Sequence, residues 1–201
     1  MRWTSSIAIL LSSATAVADS GDSERVYAFG ERRSDQAIGA EVGLAAGGDL
    51  TPGGLRVAGH YLYQLSSRDW FDGVASFTYG GNGAGCYEDQ MATTICDHGP
   101  TSGSSVEVAA TVRRYFERQG AFMPFARAGL GIAIVHYGAD NVSGLAFPIH
   151  AGGGVRARVA PTVSIVAQAD LTLGIGAFSR SLGAETQLGM AVTAGAEFDL
   201  R

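Results

Sequence analysis

Eight stretches of the chain alternate apolar residues with polar residues or glycine, and this pattern limits the fold more than any other feature of the sequence. Successive side chains of a β-strand point to opposite faces, so each stretch predicts a strand with one apolar face. The predicted strands cover residues 37–46, 55–65, 70–80, 105–117, 125–137, 146–159, 163–173 and 188–200. The sequence therefore predicts an all-β domain of eight strands.

The second face of these strands carries charged residues at mid-strand, where a soluble domain would bury neutral groups. An isolated buried charge is so costly that it neutralises or finds a partner, and Arg pairs with carboxylates in a fixed bidentate geometry. We therefore expect lipid outside the domain and a paired charge network inside it. The expected members are Glu41, Asp72, Glu107, Asp170 and Glu197 with Arg56, Arg113, Arg127, Arg156 and Arg158. His60 and His150 fall on the same faces and are expected to join this network.

The predicted connections alternate in length along the chain. Those at 66–69, 118–121 and 160–162 are short, whereas the others are longer or richer in glycine, the longest lying between residues 80 and 105. Short periplasmic turns and longer extracellular loops are typical of outer-membrane barrels, and an even strand number places both barrel ends of the chain on the periplasmic side. Because an eight-stranded barrel is just wide enough for side chains to fill it, we expect a polar plug without an open pore.

The alternative is a soluble all-β protein, such as a lipocalin-like barrel or a sandwich, in which the apolar faces form the core. Residues such as Ile38, Val42, Leu130, Ile132 and Ile165 would then make up a thin core. The alternation of connection lengths would have no explanation in such a fold. The pattern therefore favours the membrane barrel.

The N-terminus has the features of an export signal. Arg2 is followed by a short apolar core that starts at Ile7–Leu11, and Ala16-Val-Ala18 provides the small residues of a cleavage site before Asp19. The apolar stretch is too short to cross a hydrocarbon core of about 30 Å as a helix. We therefore predict a cleaved signal peptide at 1–18, a polar periplasmic lead-in at 19–35 and an outer-membrane β-barrel at 36–201.

Composition excludes several classes of protein. Glycine is abundant (29 residues) and only 16% of residues are charged, which argues against disorder or a helical repeat. The 14 basic residues are all Arg, they form no run, and the net charge is -5. A nucleic-acid binder would carry a basic patch. We therefore expect no nucleic-acid partner.

Three passages together resemble a known family. Residues 124–131 (Pro-Phe-Ala-Arg-Ala-Gly-Leu-Gly) are similar to its proline-aromatic entry into a Gly-alternating strand, and residues 150–161 to its Gly-rich strand ending in a proline turn. The C-terminus, with Thr193, Gly195, Phe198 and Leu200, fits the signal that the outer-membrane insertion machinery reads, although Arg201 stands where members commonly end on an aromatic residue. The family is that of the small eight-stranded outer-membrane β-barrels of Gram-negative bacteria, such as the OmpA-type transmembrane domain and opacity-protein-like barrels.

The resemblance implies a fold, a location and partners. The fold would be an eight-stranded antiparallel up-and-down transmembrane β-barrel in the outer membrane, reached through the signal peptide. The partners would be outer-membrane lipid and lipopolysaccharide, the insertion machinery, and an unknown extracellular ligand.

Two cysteines lie in the longest predicted loop. In an exported protein, Cys86 and Cys96 are expected to form a disulfide, which would stabilise the loop by about 2–3 kcal/mol on the chain-entropy model. The alternative is a metal site formed by both cysteines and His98 with Glu88 or Asp89, but this spacing matches no compact zinc pattern.

Some barrels of this size are enzymes that act on lipopolysaccharide. Deacylation needs a nucleophilic hydroxyl next to a base, which directs attention to His136, Asp140, Ser143 and His150. The lipid A deacylase pattern would require His-x-Ser, and Gly138 stands where that Ser should be. The leading hypothesis is therefore a non-enzymatic, plugged barrel without cofactor, which displays loops for envelope integrity or surface interaction. A narrow porin-like channel and a lipid A-modifying enzyme are the alternatives.

Overall fold

The computed structural model describes residues 35–48, 51–82, 86–88, 91, 93–96, 101–138, 142–179 and 183–200. The predicted signal peptide, and all of the predicted lead-in except Asp35, lie outside these residues. In the described part of the chain, no helix is long and apolar enough to cross a membrane.

Ten strands make up the described structure. They are β1 (Gln36–Gly47), β2 (Gly54–Gln64), β3 (Asp69–Asn82), β4 (Cys86–Glu88), β5 (Thr94–Cys96), β6 (Thr101–Tyr115), β7 (Phe122–Tyr137), β8 (Val142–Ala160), β9 (Val163–Phe178) and β10 (Gly183–Leu200). Eight of them form a closed barrel in the order β1-β2-β3-β6-β7-β8-β9-β10, with every pairing antiparallel. The predicted eight-stranded up-and-down barrel is confirmed.

The first and last strands close the barrel. Gln36 pairs with Leu200 and Gly47 with Gly189, so the pairing of β1 with β10 runs along the whole of β1. A closed sheet has no unpaired edge, which is the condition for strands to cross a bilayer. We call the end with Gln36 and Leu200 the terminal end, and the opposite end, where β3 connects to β6, the hairpin end.

The strands near the hairpin end are longer than the sequence predicts. β8 begins at Val142, β9 continues to Phe178 and β10 begins at Gly183, four to five residues beyond the predicted limits. The connections 138–141 and 179–182 are consequently as short as the turns at the other end, and the predicted alternation of lengths is wrong for them. A Gly-rich sequence is typical of loops, but at these strand ends glycine makes room for a neighbouring side chain. A Cβ at Gly144 would overlap the Phe178 ring.

Inside the barrel, one apolar cluster lies on either side of the charge network, and a third, smaller one of Ala58, Val74 and Ala109 lies on β2, β3 and β6. The cluster at the terminal end consists of Ala37, Leu62, Trp70, Tyr115, Phe125 and Val166. The cluster near the hairpin end lies on β7–β9 and consists of Ala133, Val135, Tyr137, Val142, Ala146 and Phe178. The interior is therefore less uniformly polar than the sequence predicts.

Candidate functional site

A buried carboxylate, that of Asp72, lies at the centre of the barrel interior. Its side chain is fully buried on β3. One carboxylate oxygen accepts hydrogen bonds from Arg113 Nη2 at 2.9 Å and from Arg127 Nη1 at 3.4 Å. His60 Nδ1 lies 2.9 Å from the other carboxylate oxygen. The four side chains come from the adjacent strands β2, β3, β6 and β7, whose inward alternation brings them together.

Arg113 connects opposite walls of the barrel. Besides Asp72, its guanidinium bonds Glu197 on β10, and β10 lies four places from β6 around the eight-stranded ring. Glu197 also forms an ion pair with Arg156, whose Nε lies 2.9 Å from Glu197 Oε2. The guanidinium of Arg113 stacks 4.4 Å above the centre of the Phe125 ring, a cation–π contact that joins the network to the apolar cluster below it.

A glycine allows another link between strands that are not neighbours. Arg127 on β7 and Asp170 on β9 are both paired in register with Gly152 on β8. Arg127 Nε reaches Asp170 Oδ1 at 2.7 Å, and a Cβ at Gly152 would overlap that carboxylate. The inward glycine therefore leaves the space through which the ion pair forms.

Further polar contacts extend the network along the barrel. Towards the hairpin end, Glu107 lies 2.8 Å from His150 Nε2 and 3.7 Å from Arg56. In the middle, Glu41 accepts a hydrogen bond from Thr193 at 2.7 Å. Both predicted histidines thus contact buried carboxylates.

At the terminal end the network reaches the barrel mouth. Arg158, predicted as an interior residue, has a side chain that is 35% exposed and bonds Asp199 at 3.2 Å. Asp199 also accepts a hydrogen bond from Arg156 Nη2 at 2.7 Å. The sequence prediction omitted Asp199, although it falls on the inward side of β10 two positions after Glu197, and extending the alternation to the strand end would have found it.

Two small spaces lie at either side of the network. A cavity of about 120 Å³ opens at the terminal end beside Trp70, Tyr115 and Arg156. Another of about 40 Å³ lies towards the hairpin end beside Arg56, Thr78 and Glu107. Breaking a buried pair by removing one partner costs about 3–5 kcal/mol, so this arrangement holds its charges in place. Chemically, the network is suited to filling and rigidifying the interior.

The outward face is apolar between two polar limits. On β6, Val106, Val108 and Val112 are exposed between Ser104 and Arg114. Ten residues at about 3.3 Å each, tilted by about 40°, span about 25 Å, which is the height of the apolar band on outer-membrane barrels.

The enzyme candidates on the outward face lie close together. His136 Nδ1 is 2.9 Å from Ser143 Oγ on the neighbouring strand, and both residues are exposed. The Ser143 N–H donates to Ser179 Oγ at 3.0 Å. His150 lies apart in the interior, and Asp140 lies outside the described residues. Both residues were candidates from the sequence, but their contact depends on the β7–β8 register, which the sequence does not supply.

The two cysteines are register partners in a small hairpin. β4 and β5 pair so that Cys86 lies opposite Cys96. The disulfide remains a prediction. For the metal alternative, His98 and Asp89 lie outside the described residues, and among the residues that are described no group of His, Cys, Asp and Glu is placed to hold a metal.

The residues of the predicted insertion signal lie on both faces of β10. Phe198 is 47% exposed on the outward face, and Leu200 is partly buried opposite Gln36. Thr193 bonds Glu41 inside the barrel, and Gly195 pairs with Glu41 in register. The signal function itself stays a prediction.

Comparison with known proteins shows the class of the fold. The sequence matches no family model and no curated protein. Among solved structures, the chain is similar to Neisserial surface protein A, with a TM-score of 0.59 and 16% identity over 85% of this chain and 100% of that one. It is also similar to the outer membrane protein OprG from Pseudomonas aeruginosa, with a TM-score of 0.52 and 8% identity over 83% and 96%.

A third similar structure is the outer membrane protein AlkL in DMPC lipid bilayers, with a TM-score of 0.50 and 12% identity over 87% of this chain and 93% of that one. At such identities the likeness establishes the fold alone. The chain has the fold of the small eight-stranded outer-membrane β-barrels, as its sequence predicts.

Proposed function

We propose that this protein is a non-enzymatic outer-membrane protein of Gram-negative bacteria, whose closed, plugged barrel displays the β4–β5 hairpin at the cell surface. Its role would be envelope integrity or surface interaction. The observation that carries the proposal is the bridge from Asp72 through Arg113 to Glu197, which crosses the interior from wall to wall.

The packing around that bridge supports a barrel that does not conduct. The aromatic cluster with Trp70, Tyr115 and Phe125 lies directly against the guanidinium of Arg113 at the terminal end. The cavities beside Trp70 and beside Arg56 are small and lie on different sides of the network. A water-filled path would require these buried ion pairs to separate, which is costly.

The orientation follows from connectivity. Both ends of the barrel domain lie at the same end of the barrel, together with the turns 65–68, 116–121 and 161–162. The longest connection, between β3 and β6, lies at the opposite end, and in these barrels the longer loops are extracellular while the periplasmic turns are short. We therefore place the terminal end in the periplasm and the hairpin end outside the cell.

Membrane fractionation of cells that express the full chain tests the proposal. We expect the protein in the outer-membrane fraction, with faster gel migration before boiling than after it. Recovery in the soluble fraction, or migration that boiling does not change, would contradict the proposed function.

A lipid hydrolase is the second candidate, favoured by the contact between His136 and Ser143. A base within hydrogen-bond reach of a hydroxyl can activate it for attack on an ester. Among the described residues, no carboxylate bonds His136 to orient it, which is why we rank this candidate second. Mass spectrometry of lipid A and phospholipids from cells that express either protein distinguishes the two candidates. The leading proposal predicts identical lipids in cells with the wild-type protein and with Ser143→Ala. A lipid product that is present with wild type and lost with Ser143→Ala would favour the hydrolase.

A further inference from the structure

A shallow, open groove of about 760 Å³ crosses the outward faces of β2, β3, β6 and β7. Its floor is made of small residues, Gly73, Ala75 and Ala110, and its sides include Phe71, Leu130 and Ile132. The groove lies within the apolar band between Ser104 and Arg114 and therefore faces hydrocarbon.

A charged pair lies on the terminal-end side of the groove, one outward residue beyond its lining on β6. Arg114 follows Ala110 and Val112 on the outward face of β6, and Asp69 is its register partner on β3. Arg114 Nε and Nη2 donate to the two carboxylate oxygens of Asp69 at 2.8 and 3.1 Å, while the Arg114 side chain remains 62% exposed. Arg68 is exposed in the adjoining turn, and its carbonyl accepts the Tyr115 N–H at 2.8 Å. Two guanidinium groups and one carboxylate thus lie beyond the groove on its terminal-end side, separated from it on β6 by the exposed Val112.

The dimensions match one leaflet of a bilayer. Outward residues on a strand recur about every 6.6 Å, so the column from Arg114 to Val108 is about 20 Å long. Tilted by about 40°, it covers about 15 Å along the membrane normal, which is half of a hydrocarbon core of about 30 Å.

We propose that this groove binds one phosphatidylethanolamine molecule of the periplasmic leaflet. An acyl chain would lie along β6 between Phe71 and Leu130. The phosphate would accept hydrogen bonds from Arg114 and Arg68, and the ammonium group would donate to Asp69. This inference rests on the proposed function, because it needs the terminal end to lie at the periplasmic side of the membrane.

The mixed charge selects the headgroup. Phosphatidylcholine has no ammonium N–H to donate to Asp69. Phosphatidylglycerol has no cationic group that could pair with the Asp69 carboxylate. A second copy of this chain fits less well, because its convex wall would have to enter a groove that is bounded by the Phe71 ring.

Native mass spectrometry of the detergent-solubilised full chain tests the proposal, with phosphatidylethanolamine, phosphatidylcholine and phosphatidylglycerol of identical acyl chains as probes. For wild type we expect about tenfold tighter binding of phosphatidylethanolamine than of phosphatidylcholine, from one charge-assisted hydrogen-bond site. Asp69→Asn should abolish that preference and favour phosphatidylglycerol. Ala110→Leu fills the groove floor and should weaken all three lipids.

Ala169→Leu is the matched control, since Ala169 is an exposed outward alanine on β9, six residues from the terminal end of its strand. It should bind lipids as wild type does. Equal binding by the two leucine variants, or an ethanolamine preference that survives Asp69→Asn, would overturn the inference. A dimer present in the control but absent in Ala110→Leu would instead assign the groove to a second copy.

The two proposals fail in different ways. If all variants reach the outer membrane and shift on boiling while the lipid predictions fail, this inference alone is wrong. If wild type does not reach the outer membrane, the proposed function fails.

Discussion

Arg113 on β6 and Glu197 on β10 form an ion pair across the barrel, between strands on opposite walls. The same guanidinium bonds Asp72, so one side chain ties three strands together. Because each partner is almost fully buried, the pair cannot exchange its contacts for water without opening the interior.

Arg113→Gln should destabilise the barrel by about 3–5 kcal/mol, because it leaves the carboxylates of Asp72 and Glu197 buried without their shared partner. Urea unfolding in lipid vesicles, followed by the heat-sensitive gel shift, measures the change. Arg118→Gln is the control, since the exposed Arg118 donates to the Gly120 carbonyl within the turn after β6 and should matter little. Equal losses in both variants would contradict a special role for the interior pair.

Gly152→Ala should cost about 1–3 kcal/mol, because the added methyl group overlaps Asp170 and separates it from Arg127. The control is Gly59→Ala, where a Cβ on the outward side would meet its nearest atoms at 4.0 Å. The same unfolding assay compares the two. A Gly152→Ala protein as stable as Gly59→Ala would show that the space at Gly152 is not needed.

Cys96→Ser should loosen the β4–β5 hairpin and leave the barrel intact, since Cys86 and Cys96 are opposed within the hairpin alone. Limited proteolysis of whole cells should then cut the loop faster than in wild type, by an amount that corresponds to about 2–3 kcal/mol of local stability. Boiling should still shift the gel band. Free thiols in the unreduced wild-type protein would argue against the disulfide.

Phe198→Ala should lower the yield of folded protein in the outer membrane, because Phe198 belongs to the predicted insertion signal. Phe116→Ala removes another exposed aromatic side chain near the terminal end, outside that signal, and serves as the control. Quantitative blotting of the heat-modifiable band gives the result. A similar loss in both variants would mean that a general aromatic contact with the membrane, rather than a signal, is responsible.

The alternation of the sequence was sufficient to predict the eight strands, their closure and the inward charges, since side-chain direction in a strand follows the period of two. It could not supply contacts that depend on register, such as the link from Arg127 past Gly152 to Asp170, or the approach of His136 to Ser143. The strand ends were missed for a related reason: β8–β10 extend because their backbones pair with neighbours, and their Gly-rich composition gives no sign of it. Trp70, Tyr115 and Phe125 fall on inward positions, but no pattern indicated that they would gather beneath Arg113.

Single-channel recording in planar bilayers tests the central claim, the plugged interior, most directly. Incorporation should first be verified by the heat-sensitive gel shift of the same proteoliposomes, so that silence cannot arise from failed insertion. The charge network and the aromatic cluster predict no discrete conductance steps from the wild-type protein. Frequent, reproducible steps from correctly folded protein would contradict the account and favour the narrow porin-like channel.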